Sequence, residues 1–276
     1  MFTDTHCHLT YLAGRGIDAA SVIRELADKK VPFVLDSGTR SNDLKERIDF
    51  INGITASVQD SSLKERAASM LRFGAGIWPD KEAIADRFLH MDVLREQIEL
   101  CDEKRLCAIG ECGFDRHWNT DDADEEGERE LFDMQLELAR ELELPLIVHS
   151  RDAFEQTLAG IKNAGEKKGV LHCYSYGVEQ ARAFLDEGWY ISLSGSVTYA
   201  KKAQISETEK LVRFIPADRL LLETDAPYLA PVPFRGKPNT PLLIEHTYRF
   251  VANIRGLSTE ELAAAVLQNA RRLFGS

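Results

Sequence analysis

The sequence predicts an α/β chain closed into a single (β/α)8 TIM barrel, with a metal site at the C-terminal face of the strands. Three observations lead there: eight short apolar or β-branched runs, amphipathic stretches alternating with them, and a polar residue at the end of run after run.

The runs cover 2–8, 32–37, 72–77, 106–111, 144–149, 169–173, 189–194 and 220–225. Each is bounded by turn residues, the mark of a strand. Helical patterns lie between them, at 19–29, 84–104, 126–142, 153–164 and 178–187. Eight such units fit closure into a barrel better than an open doubly wound sheet. Gly14 and Gly16 sit in a loop after the first run and make no dinucleotide fingerprint. A loop at 226–241, rich in proline and glycine, precedes two helices, and Ser258 three residues before Glu261 is a capping-box spacing for the last. No linker or low-complexity segment interrupts the pattern. Residues 1–276 are expected to form one domain, since barrels of about 250 residues fold as a unit and 44% hydrophobic residues supply a large core.

Composition narrows the function. No run approaches the roughly 18 apolar residues of a membrane span, and the start lacks a basic n-region, so neither membrane association nor a signal peptide is expected. Cys7, Cys101, Cys107, Cys112 and Cys173 form no CxxC pair, and an odd count in a long chain reads as reduced thiols in a cytoplasmic protein. The net charge of −11 argues against a clamp on long duplex DNA. It leaves a phosphate substrate open, because bound divalent cations can reverse the local field. Nothing calls for an obligate protein partner.

The chemistry gathers at the strand ends. His6 and His8 alternate with Cys7, so the two imidazoles share a face and make a metal clamp. The fourth run ends in Glu111, the fifth in His149, the sixth reaches His172 and the eighth ends in Asp225. Buried and unpaired, such groups would be costly; as ligands of two divalent ions they are accounted for. A carboxylate can offer one oxygen to each ion, so Glu111 is the candidate bridge. His6, His8 and Asp225 are assigned to one ion with it, and His149 and His172 to the other. Imidazoles suit Zn, and carboxylates with open positions admit Mn or Mg.

At these residues the chain resembles the TatD family of metal-dependent deoxyribonucleases. The resemblance lies in FTDTHCHL (2–9), GECGFD (110–115), LPLIVHSRDA (144–153), GVLHCYS (169–175), YISLSG (190–195) and LLLETDAPYLAPVPFRGKPNTP (220–241), over nearly the whole length. It implies the same six ligands, and 3′-to-5′ exonuclease activity on DNA, favouring single strands. The family usually carries a histidine before the proline that ends strand three. Trp78 stands there instead, and either stacks on a base or packs under a loop.

Glu223 and Asp4 each lie two residues before an assigned ligand. Glu223 reads as an acceptor that orients an imidazole or a water, while Asp4 stays open between that role and barrel filling. Arg151, Arg235 and Lys237 are candidates for gripping phosphate oxygens. His90 and His246 fall in helical patterns and read as packing residues, and His117 borders the mouth without an assigned role. Alternation turns Cys7, Cys112 and Cys173 away from the neighbouring ligands, as buried small hydrophobes. The favoured function is phosphodiester hydrolysis by a two-metal mechanism, with Asp225 and Glu111 catalytic. The alternatives are an amide, ester or lactone hydrolase on the same kind of barrel, including one that frees misacylated tRNA, and a non-catalytic binding scaffold.

Overall fold

A computed structural model describes residues 1–101, 103–165, 168–201 and 205–275. Eight strands, β1 (Asp4–Cys7), β2 (Val34–Asp36), β3 (Leu71–Ala75), β4 (Leu106–Asp115), β5 (Leu146–Arg151), β6 (Gly169–Leu171), β7 (Tyr190–Leu193) and β8 (Leu220–Leu222), pair in parallel in chain order. A bridge between Cys7 and Ala226 joins β1 to the segment beyond β8. Asp225 N donates to His6 O at 2.9 Å and His8 N to Ala226 O at 2.7 Å, which completes the ring of strands. The sheet is therefore a closed barrel, and its seam runs through three of the residues singled out above.

The helices are α1 (Ala19–Asp28), α2 (Leu44–Ser57), α3 (Ser61–Met70), α4 (Lys81–Ala85), α5 (Arg87–Cys101), α6 (Asp122–Glu141), α7 (Phe154–Ala164), α8 (Val178–Asp186), α9 (Ile205–Phe214), α10 (Ile244–Arg255) and α11 (Thr259–Phe274). Ser258 and Glu261 close the capping box at the start of α11, with Ser258 N donating to Glu261 Oε2 at 2.8 Å. The helical pattern at 84–104 proves to be two helices. Asp80 caps the first, accepting from Ala83 N at 2.8 Å, and the break falls at Asp86. No helix is long and apolar enough, among the described residues, to cross a membrane.

Strands β6 and β8 stop earlier than their apolar runs suggest, while β4 runs four residues further, so that Gly113 pairs with His149 and Asp115 with Arg151. Gly113 has φ +140, and a Cβ there would collide with the His149 carbonyl oxygen. Only glycine lets β4 lie this close to β5.

The end of β2 is fixed from outside the barrel by Arg47 of α2, which is buried. Its Nη1 lies 2.8 Å from Asp36 Oδ2, its Nε 2.8 Å from Asp43 Oδ1, and its Nη2 donates to Gly74 O at 2.7 Å. Asp36 in turn accepts from Leu9 N at 2.7 Å. Removing one partner of a buried pair leaves an uncompensated charge, so Arg47→Met should lower folding stability by about 3–5 kcal/mol. Urea unfolding checks this, and a loss below about 1 kcal/mol would show that Asp36 finds another partner or water.

Candidate metal centre

Six side chains converge at the C-terminal mouth, each delivered by a strand or by the residues just past one. His6 belongs to β1 and His8 follows it, Glu111 belongs to β4 and His149 to β5. His172 comes directly after β6. Asp225 follows β8 in a left-handed conformation (φ +56), which aspartate tolerates better than most residues.

Glu111 divides these side chains into two nests. Its Oε2 lies 3.2 Å from His6 Nε2 and 3.6 Å from His8 Nε2. Asp225 Oδ1 completes that group at 3.7 Å from His6 Nε2 and 3.5 Å from His8 Nε2. Glu111 Oε1 lies 3.1 Å from both His149 Nδ1 and His172 Nε2, which are 3.3 Å from each other. Donors about 2.1 Å from a common centre at tetrahedral angles stand about 3.4 Å apart, so the spacing in each nest suits a divalent ion.

The outward nitrogens support the same fit. His8 Nδ1 is 2.9 Å from Ser37 O, His149 Nε2 is 2.9 Å from Asp115 Oδ2, and His172 Nδ1 is 3.4 Å from Glu223 Oε1. An imidazole that donates its proton outward presents its other nitrogen's lone pair inward, as metal-binding histidines do. His8 and His149 are held this way, and two lone pairs aimed at carboxylate oxygens call for a cation between them. Electrostatics agree. Burial disfavours charge on His8, yet Asp225 and Glu111 raise it to about 9. Burial also opposes ionisation of Glu111, but His172, His149 and His6 hold its carboxyl well below the usual range. The nests attract positive charge strongly. The residues present thus fit divalent ions, in three overlapping donor groups: His6, His8 and Glu111; Glu111, His149 and His172; and His6, His172 and Asp225.

The remaining candidates divide. Glu223 Oε1 accepts from Cys173 N at 2.5 Å and Oε2 from Ser192 Oγ at 2.5 Å, so it is locked beside His172. Asp4 faces no imidazole. It accepts from Thr224 Oγ1 at 2.6 Å and Thr224 N at 3.0 Å, tying β1 to the residue before Asp225, and burial pushes its carboxyl up to about 7. Arg151 lines the mouth cavity of about 1100 Å³ together with both nests. Arg235 and Lys237 are exposed and do not line it; Arg235 lies over the Tyr199 ring at 4.3 Å. His90 packs through Nδ1 on Ser41 Oγ at 2.8 Å, and His246 lies edge-on to Phe234.

Cys173 corrects the alternation argument. Cys7 and Cys112 are buried, but Cys173 is half-buried and lines the cavity. It lies past the end of β6 with φ +46, where strand alternation no longer applies. Asp115 is a site residue that sequence reasoning missed. It is buried, sits four positions beyond Glu111 on β4, and holds His149. Its signal was the even spacing from Glu111, hidden because the apolar run ends before it. Arg15, which ends a 3-10 helix (Leu9–Arg15), and Arg40 and Trp118, from loops that carry no periodic signal, also line the cavity.

Known proteins share this barrel. Residues 3–275 match the family described as TatD related DNase. A relative from Bacillus subtilis (strain 168), named uncharacterized metal-dependent hydrolase YabD, is 32% identical over 99% of each chain. One from Erwinia tasmaniensis, named 3'-5' ssDNA/RNA exonuclease TatD, is 40% identical over 63% of this chain and 68% of its own. The solved structure of YJJV, a TatD homolog from Escherichia coli k12, superposes with a TM-score of 0.81 at 27% identity, covering 100% of this chain and 98% of that one. The chain belongs to the TatD-related DNase family and is a metal-dependent hydrolase of that family.

Proposed function

We propose that the protein is a 3′-to-5′ exonuclease of single-stranded DNA that uses two divalent ions. The observation that carries this reading is the division of Glu111, whose two oxygens face two separate nests of nitrogen and oxygen donors. His6, His8 and Asp225 would hold one ion with Glu111, and His149 and His172 the other. When bound, such ions would acidify water and neutralise charge on the reacting phosphate.

The chain's own groups do the rest. Asp225 orients the attacking water and takes its proton, and Glu111 keeps the two nests in register. Asp115 holds His149 in the tautomer that aims inward, and the Glu223 carboxylate lies beside His172 Nδ1. Arg151 on the cavity wall binds a phosphate oxygen close to the scissile bond. Arg235 and Lys237, outside the cavity on the loop after Asp225, hold phosphates further along the strand, where contacts position without reading sequence.

The Erwinia relative's name covers RNA as well as single-stranded DNA, so the test uses both. A 5′-labelled oligonucleotide incubated with the ion-loaded protein should give a ladder that shortens from the 3′ end, with DNA preferred. Internal cuts, or no cleavage, would overturn the proposal. Arg235→Ala with Lys237→Ala should raise KM on a long oligonucleotide roughly five- to tenfold, the scale of losing two phosphate contacts, and change kcat little. The effect should shrink on a one-phosphate diester; an equal loss on both would place the loop's role in the reacting phosphate or the fold.

A further inference from the structure

Two tryptophans line the mouth cavity beside the donor nests. Trp78 is half-buried, with its ring edge-on to His149 at 5.7 Å. Trp118 is 62% exposed, and its ring meets His117 edge-on at 5.0 Å. So large an indole left open at the surface beside a charged cavity does little for packing, and offers a flat π face to a ligand.

Both loops are held rigid from below. Ile77, next to Trp78, is bound through both backbone groups by the buried amide of Gln135, at 2.8 and 3.1 Å. Trp78 N donates to Thr39 O at 2.9 Å. Trp118 N donates to Asp115 Oδ1 at 3.2 Å, and the other oxygen of that carboxylate meets His149. Buried Asn119 ties one loop to the other, donating to Pro79 O at 2.7 Å and to Glu128 Oε1 at 2.8 Å. The indoles are thus anchored to the same framework as the nests, and Arg40 and Arg151 on the cavity wall supply positive charge.

We infer that Trp78 and Trp118 form a stacking platform for an unpaired nucleobase at the end of the strand being cleaved. The inference rests on the nuclease reading and names what the mouth recognises beyond phosphate. Every base has a π face, so the platform accepts any sequence. A paired base is already stacked within its duplex, so the platform favours a free single-stranded end.

The test compares the ion-loaded wild type on a thymidine oligonucleotide and on the same strand with base-free tetrahydrofuran residues at its 3′ end. The wild type should show kcat/KM about tenfold or more higher on the base-bearing strand. Trp78→Ala and Trp118→Ala should bring that ratio near one, while Trp78→Phe and Trp118→Phe restore most of it. Brisk cleavage of both strands by the wild type without preference would overturn the platform and leave the nuclease reading standing. So would alanine variants that lose activity equally on both strands, or that keep the preference. Cleavage of neither strand by the wild type would overturn the nuclease reading and the platform with it.

Discussion

Glu111→Gln should reduce kcat/KM by about a thousandfold or more, while the protein stays folded. The substitution preserves shape and removes the charge that two nests share, from a position 3.1–3.2 Å from three imidazole nitrogens. Each nest then loses an anionic donor, and an ionic contribution of about 4 kcal/mol to the transition state corresponds to about a thousandfold in rate. Steady-state kinetics on a single-stranded oligonucleotide, with circular dichroism to check folding, makes the measurement. A loss under tenfold would mean that another residue joins the nests or that one nest suffices.

Chelation should abolish activity outright, and a divalent ion should restore it. Apart from the donor clusters, the mouth offers no assembled nucleophile and base among the described residues: Cys173, the thiol that lines it among them, is pushed well above the usual thiol range by burial and by the Asp225 and Glu223 charges. A thiol so held is a poor nucleophile. Dialysis against a chelator followed by titration with Zn, Mn or Mg decides the matter, and persistent activity in the stripped protein would contradict it.

The barrel was legible because each strand is a short apolar run, and five of the runs lead into a histidine or carboxylate that no core would accept unpaired. His6, His8, Glu111, His149, His172 and Asp225 all announce themselves this way, and the structure brings all six together. Alternation alone did not reach Asp115. The apolar run closes at charged Glu111, with Gly113 beyond it, whereas pairing with β5 continues to Asp115. The same rule misplaced Cys173, because backbone that has turned left-handed no longer alternates. Arg40 and Trp118 come from loops, where position depends on contacts such as Asn119 to Pro79 that join residues 40 apart in sequence. Arg235 and Lys237, the candidates for gripping phosphate oxygens, are exposed outside the cavity lining, and Arg235 lies over the Tyr199 ring.

The central claim is that one carboxylate joins two ion sites. The most direct measurement is elemental analysis of bound metal per chain, made in parallel with activity as the stripped protein is titrated with a divalent ion. The account predicts two ions per chain at full activity in the wild type, and fewer than two in Glu111→Gln at the same free-ion concentration. Full activity at one ion per chain, or two tightly held ions in Glu111→Gln, would contradict it.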